Sequence, residues 1–174
     1  MSHPQQQQFC EKVKGKFPHR FQKKRVLDVG SLDINGNNKY LFENCGYIGI
    51  DLGPGKNVDV VCPAHEFIGS FETIISTEAF EHDPYFKLSL QRIVLDLLVP
   101  GGLFLFTCAT KGRPEHGTHR RTPYNAPFTN DYYKNISEDD VRVVVDIDML
   151  FERHEFDLYR PTRDLYFWGI KKWR

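Results

Sequence analysis

At 174 residues the chain has the length of one domain, since domains run to roughly 150 residues, and a large multidomain machine is excluded. Apolar residues make up 40% and aromatic residues 14% of it, enough to fill one core and too much for a disordered chain. Lys plus Arg number 23 and Asp plus Glu 23, so the zero mean charge excludes a histone-like or polybasic nucleic-acid binder.

Charge is uneven only at the start, where Lys12, Lys14, Lys16, Arg20, Lys23, Lys24 and Arg25 face Glu11 alone. Residues 1–24 therefore read as a solvated basic helix or arm, and secondly as an anion or membrane-surface contact. Ser2, His3, Pro4 and four glutamines replace any signal-peptide core, and no apolar run approaches the ~20 residues of a membrane span. Cys10, Cys45, Cys62 and Cys108 form no Cys-x-x-Cys pair, so reduced, mostly buried thiols, no metal site and a cytoplasmic location are expected.

From residue 25 short apolar runs alternate with helical periodicity, the pattern of an α/β domain with a mostly parallel sheet. The first strand, Arg25-Val26-Leu27-Asp28-Val29, is apolar on both faces except at Asp28 and stops at Gly30. Asn35, Gly36 and Asn37, then Tyr40, Leu41 and Cys45, predict a helix closed by Gly46. Strands follow over 47–50, 58–61 and 71–76, with Gly53, Pro54 and Gly55 turning the chain between the second and third. Asp83 and Pro84 start a helix whose apolar stripe is Phe86, Leu90, Ile93, Val94, Leu97 and Leu98. Pro100, Gly101 and Gly102 end it and launch a fifth, central strand over 103–107.

Residues 108–136 hold scattered Pro, Gly, charged and aromatic residues with no period. A stretch of that length is more often a binding loop than filler, so an active-site lid is expected there. A short helix over 138–145 and an antiparallel hairpin, 153–159 with 164–170, complete a single domain over 1–174.

In open α/β sheets a ligand lies beyond the carboxyl ends of the strands. The residues there are Gly30, Ser31 and Leu32, then Asp51, then Ala64 and His65, then Ser76, Thr77 and Glu78. Gly30 permits close backbone approach, and Asp51, 21 residues later, lies where an acid accepts both hydroxyls of an adenosine ribose. A dinucleotide site wants G-x-G-x-x-G, whereas this turn reads Gly30-Ser31-Leu32-Asp33-Ile34-Asn35, and Asp33 would put negative charge near a pyrophosphate.

The segments VLDVGS, YIGID, FETIISTEAFEH and LLVPGG with LFLFT, in that order, resemble a small class I S-adenosylmethionine-dependent methyltransferase over residues 25–110. That resemblance implies a Rossmann-like three-layer sandwich with a terminal antiparallel hairpin. It implies a cofactor site of Asp28, Gly30, Ser31, Leu32, Asp51, Leu52, Ala64, His65, Thr77 and Glu78, with Asp51 on the ribose and Leu52, Ala64 and His65 around adenine. The Glu81-His82 pair matches one in the family, while Leu32 stands where many members have a second glycine.

His82, beside Asp83 and Pro84, is the first candidate for a general base, in competition with a structural role; His119 and His116 in the loop are second. Lys111, Arg113, Arg120 and Arg121 around the expected mouth suggest an anionic acceptor, and Tyr124, Phe128, Tyr132 and Tyr133 either stack on a ring or pin the loop. The expected function is methyl transfer to a small molecule, a sugar or anionic metabolite, with no strong nucleic-acid signal. An NAD-dependent enzyme and a non-catalytic S-adenosylmethionine-binding protein are the alternatives.

Overall fold

A computed structural model describes residues 4–173; Ser2 and His3, at the start of the expected arm, lie outside the described residues. Seven strands form one sheet in the order β3-β2-β1-β4-β5-β7-β6. They are β1 (Arg25–Val29), β2 (Gly46–Asp51), β3 (Val60–Val61), β4 (Phe71–Thr77), β5 (Leu98–Ala109), β6 (Phe151–Tyr159) and β7 (Asp164–Lys171). All neighbours pair in parallel except β7, which runs antiparallel to both β5 and β6. The chain moves outward through β2 and β3, then crosses back to place β4 on the other side of β1, so the order reverses at the carboxyl ends of β1 and β4.

Both faces of the central strands are buried. Leu27, Val29, Ile74, Phe104, Phe106 and Phe167 face α2 (Phe86–Gln91), which continues as a π-helical turn over Arg92–Leu97, together with α3 (Glu138–Val144) and α4 (Ile147–Leu150). The expected stripe from Phe86 to Leu98 is wholly buried against that face, although Leu98 already belongs to β5. The helix starts later than expected: Tyr85, not Asp83, is its N-cap residue and has no side-chain cap bond, and Asp83 only shapes the turn before it, its Oδ1 accepting from Tyr85 N at 2.7 Å. At the other end the buried Lys171 ammonium donates to the carbonyls of Val94 and Leu98 at 2.6 and 2.7 Å, satisfying acceptors that a helix terminus leaves open. α3 carries a complete capping box between Ser137 and Asp140.

The opposite face departs from the sequence reading in two linked ways. The expected helix between β1 and β2 is absent: that connection holds a single 3-10 turn, Lys39–Leu41, and Gly46 opens β2 instead of closing a helix. The basic arm is a docked helix, α1 (Pro4–Lys16), whose cations stay outward while Phe9, Cys10 and Val13 are buried. With Phe17, Phe21 and Leu41 it covers Ile75, Leu103, Leu105, Tyr166, Trp168 and Ile170. Phe9 stacks on Tyr166 with centroids 4.7 Å apart, and Lys16 Nζ lies 4.0 Å over the Trp168 ring. With the face covered by α1, a crossover helix after β1 has no apolar surface left to bury.

The cysteines are free; Cys10 and Cys108 are buried and Cys45 and Cys62 partly so. Among the described residues no helix is long and apolar enough to cross a membrane.

The stacking of Phe9 makes α1 part of the core. Phe9→Ala is expected to lower the unfolding free energy by about 3 kcal/mol in urea titration; a loss below about 1 kcal/mol, the scale of an ordinary surface substitution, would show that the helix is not held there.

Candidate functional site

The carboxyl ends of β1, β2 and β4 open into a cleft. Gly30, Leu32, Asp51, Leu52, Ala64, Glu78 and His82, each expected from the sequence, line it. The structure adds Cys62 and Pro63 beside Ala64, Ala79 and Phe80 beside Glu78, Ile34, and the loop residues 125–129. Most of the added residues lie next to one already named at a strand end.

Two turns shape the floor. Gly30 has φ +75°, and a Cβ there would fall 2.3 Å from Ala79 Cβ, so the β1 and β4 ends approach closely only because residue 30 is glycine. Asp51 ends β2 with its carboxylate fixed by backbone: Oδ2 accepts from Leu32 N at 3.0 Å and Oδ1 from Leu52 N at 2.8 Å. Burial raises the Asp51 carboxyl above the usual carboxylate range, and these amide bonds pull the other way. The remaining lone pairs of this carboxylate can accept from a ligand.

The loop after β5 forms the roof. A Cβ on Gly53 would lie 2.1 Å from the Phe128 ring, so Phe128 packs directly on the backbone after β2. The loop is tied down by Lys134 N to Glu81 O at 2.8 Å, by Ile136 N to Ala109 O at 2.9 Å, and by Asn135 Nδ2 to Arg113 O at 3.0 Å.

Asp28, Ser31, His65, Thr77 and His119 do not line the cleft. Asp28 and Thr77 share the strand parity that faces α1, and Asn38 Nδ2 lies between them, donating to Asp28 Oδ1 at 3.3 Å and Thr77 Oγ1 at 3.0 Å. Tyr47 also donates its hydroxyl to Asp28. Ser31 Oγ donates to Asn57 O at 2.9 Å and fastens the turn after β1 to the one after β2. His65 turns away to pack on Tyr85 with ring centroids 4.6 Å apart. His119 is 85% exposed and pairs with Asp131 at 3.1 Å.

His82 is buried at the end of the single turn Phe80–His82 that follows β4. Its Nδ1 lies 3.3 Å from Tyr132 O, and its ring meets those of His116 and Tyr133 at 5.1 and 5.5 Å. Burial pushes the His82 and His116 imidazoles each down to about 4. Burial likewise pushes the Glu81 carboxyl up.

None of the four loop cations lines the cleft. Arg113 bonds Asp164 at 2.7 Å and braces the β6–β7 turn, Arg120 pairs with Glu115 at 3.5 Å, Lys111 reaches Asp139 at 4.0 Å, and Arg121 is exposed. The lining instead carries Asp51, Glu78 and Asp83 and no Lys or Arg.

No protein-family model matches the chain, and no curated protein matches it. Among solved structures it is similar to the 1,6-didemethyltoxoflavin-N1-methyltransferase of Burkholderia thailandensis, solved with 1,6-didemethyltoxoflavin and S-adenosylhomocysteine, at 15% identity and TM-score 0.66, covering 97% of this chain and 79% of that one. It is similar to phosphoethanolamine N-methyltransferase 2 of Haemonchus contortus, solved with phosphomonomethylethanolamine and S-adenosylhomocysteine, at 15% identity and TM-score 0.67, covering 96% and 53%. The magnesium protoporphyrin IX methyltransferase of Synechocystis with bound S-adenosylmethionine matches at 12% identity and TM-score 0.62, covering 95% and 79%. The chain thus spans about half the length of the Haemonchus protein. The likeness establishes the architecture, the Rossmann-like class I methyltransferase fold with a mostly parallel sheet and a terminal antiparallel hairpin.

Burial raises Asp28 from an ordinary 3.8 to about 6, against the opposing hydrogen bonds of Tyr47 and Asn38. The folded chain therefore holds this proton more tightly than the unfolded one, so the stability it contributes is fully present below about pH 4 and is lost as pH rises through 6. A shift of this size corresponds to roughly 3 kcal/mol at most. Asp28→Asn removes the dependence, so its stability relative to the parent chain should increase between about pH 4 and pH 7. Urea titrations at both pH values check this, and an unchanged difference would contradict it.

Proposed function

We propose that the chain transfers the methyl group of S-adenosylmethionine to a small-molecule acceptor. The observation that carries this reading is the Asp51 carboxylate, held by the Leu32 and Leu52 amides beside an apolar slot of Leu52, Pro63, Ala64 and Phe128. An acid at the end of the second strand next to flat apolar walls suits an adenosine, with the ribose hydroxyls on Asp51 and adenine in the slot. The solved structures of similar fold that carry S-adenosylhomocysteine or S-adenosylmethionine support the same ligand.

The turn after β1 argues against a dinucleotide. No helix N-terminus follows β1 to face a pyrophosphate, and Asp33 occupies the turn, accepting from Gly36 N at 2.7 Å and Asn37 Nδ2 at 2.9 Å. Lys56 pairs with Asp33 at 2.8 Å and depresses its carboxyl further, so that position stays anionic. A ligand without phosphates brings less negative charge to this position.

When bound, S-adenosylmethionine supplies a methyl group on a sulfonium whose leaving group is a neutral thioether. The chain's own part is alignment and exclusion of water. Gly30 permits close approach of backbone, Asp51 fixes the nucleoside, and residues 125–129 act as a lid. Holding reactants in near-attack geometry lowers the barrier by roughly 7–11 kcal/mol, against on the order of 10²–10⁴ in rate from a positioned base. Glu78 and Asp83 in the lining favour a cationic donor, and with no Lys or Arg there a neutral, hydroxylated acceptor such as a sugar fits better than an anionic one.

Calorimetry with S-adenosylhomocysteine tests the reading. The intact chain binds it, and Asp51→Ala weakens binding at least tenfold, about 1.4 kcal/mol. Saturation by a pyridine nucleotide with no heat from either adenosyl form would overturn the assignment. Phe128→Ala should also weaken S-adenosylhomocysteine by several-fold, because the roof over Gly53 is removed; equal affinity would take Phe128 out of the site. Turnover of a labelled methyl donor across hydroxylated acceptors separates an enzyme from a protein that only binds the nucleoside.

A further inference from the structure

The single turn after β4 and the returning loop bring the adjacent Glu81 carboxylate and His82 imidazole together with the His116 imidazole, 34 residues further along the chain. Their ligand atoms all lie within 4.8 Å of one another. Glu81 is fully buried; Oε1 accepts from Ala109 N at 3.2 Å and sits 3.9 Å from His116 Nε2, whereas the buried Oε2 has no hydrogen-bond partner among the described residues. A buried carboxylate oxygen left without a donor is costly, so its partner needs to be found.

The histidines do not supply a proton for it. His82 Nδ1 faces Tyr132 O at 3.3 Å and His116 Nδ1 faces Pro114 O at 3.1 Å. A carbonyl only accepts, so each Nδ1 carries the ring proton and each Nε2 keeps its lone pair. The His116 lone pair thus faces the Glu81 carboxylate at 3.9 Å, and the His82 imidazole completes a set of ligand atoms within 4.8 Å of one another with no donor among them to pair the acceptors. Histidine ligands of metals are held this way, the second ring nitrogen donating to a backbone carbonyl that fixes tautomer and orientation. The Tyr133 ring packs on both imidazoles, 5.5 Å from His82 and 4.9 Å from His116. Gly117, at φ +67°, lets the loop close on His82, since a Cβ there would meet His82 Cε1 at 2.7 Å.

We propose that Glu81, His82 and His116 form a site for a divalent first-row transition-metal ion at the rim of the cleft. Two imidazoles with one carboxylate suit zinc, manganese or iron(II) and disfavour magnesium or calcium, which take all-oxygen sets. Three protein ligands leave at least one coordination position open, as in catalytic sites and unlike closed structural ones. His82 belongs to the cleft wall as well as to the cluster, so the open position adjoins the space an acceptor would fill. On the methyl-transfer reading, on which this last step rests, an acceptor hydroxyl would ligate the ion and give up its proton more readily, to water or to the Asp83 carboxylate in the cleft wall, since the lone pair that His82 would otherwise use as a base would be held by the ion.

The test uses the full chain stripped with a chelator and titrated with Co²⁺ in the absence of any adenosyl ligand. One equivalent is expected to bind with visible d–d absorption and to be displaced by Zn²⁺ but not by comparable Mg²⁺. His116→Ala, a loop substitution whose urea midpoint verifies the fold, should weaken Co²⁺ at least tenfold. Glu81→Gln should act in the same direction, and His154→Ala, at a surface pair with Asp148, should have no effect. No absorption band, equal Co²⁺ affinity in His116→Ala, or displacement by Mg²⁺ as effective as by Zn²⁺ would overturn the site. Because no nucleoside is present, failure here leaves the Asp51 assignment standing, and failure of S-adenosylhomocysteine to bind leaves the metal measurement valid.

Discussion

Strands β1, β4, β5 and β7 carry side chains that are buried whichever way they point, so the sheet needs a cover on each face. On one side the α2 stripe and α3 supply it in the usual manner of a crossover. On the other, α1 arrives before the first strand and takes the apolar surface of Ile75, Leu103, Leu105, Tyr166 and Trp168. That single docking decision propagates to the site. The β1–β2 connection is freed from forming a helix, and it runs instead as an irregular loop in which Asp33 accepts from Gly36 N and Asn37 Nδ2. The floor of the cleft is consequently built from the Gly30–Ile34 backbone, with no helix terminus directed at a ligand.

The chemistry of the cleft follows from where carboxylates are buried. Asp51 tolerates partial burial because two backbone amides from different turns converge on it, and the same bonds preorganise it for a ligand. Asp28, on the opposite face, is instead paired with Tyr47 and Asn38 and serves to tie β1, β2 and the intervening loop beneath α1. Glu81 is the third, half satisfied by Ala109 N and half not. Three acids thus have three different surroundings: Asp51 lines the cleft, Asp28 is bonded into the scaffold, and Glu81 lies in a cluster with His82 and His116.

The loop after β5 illustrates how a segment without periodicity can still be specified. Arg113 is bonded to Asp164 and to the Thr162 carbonyl, Asn135 spans to Arg113 O, and Tyr133 donates to Asn135 at 2.6 Å. These bonds return the chain to Glu81 and place Phe128 over Gly53. The cations that suggested an anionic acceptor are used in this bracing or lie outside the cleft lining.

The sequence by itself determined the strands, the long α2 stripe and the positions of Gly30, Asp51 and Glu78, because those features are local: uninterrupted β-branched and aromatic runs, a 3–4 step, and residues that must follow a strand end. It also contained the i, i+4 steps of Phe9, Val13 and Phe17, though Gln and Lys between them masked an apolar face. Tertiary structure alone decided which cover each sheet face received, and with it the loss of the helix after β1. It also decided that Asp28 and Thr77 turn away from the cleft, that Phe128 roofs it, and that His116 meets Glu81 and His82. Each of these depends on a contact between segments far apart in the chain, where competing surfaces are compared only once the sheet exists.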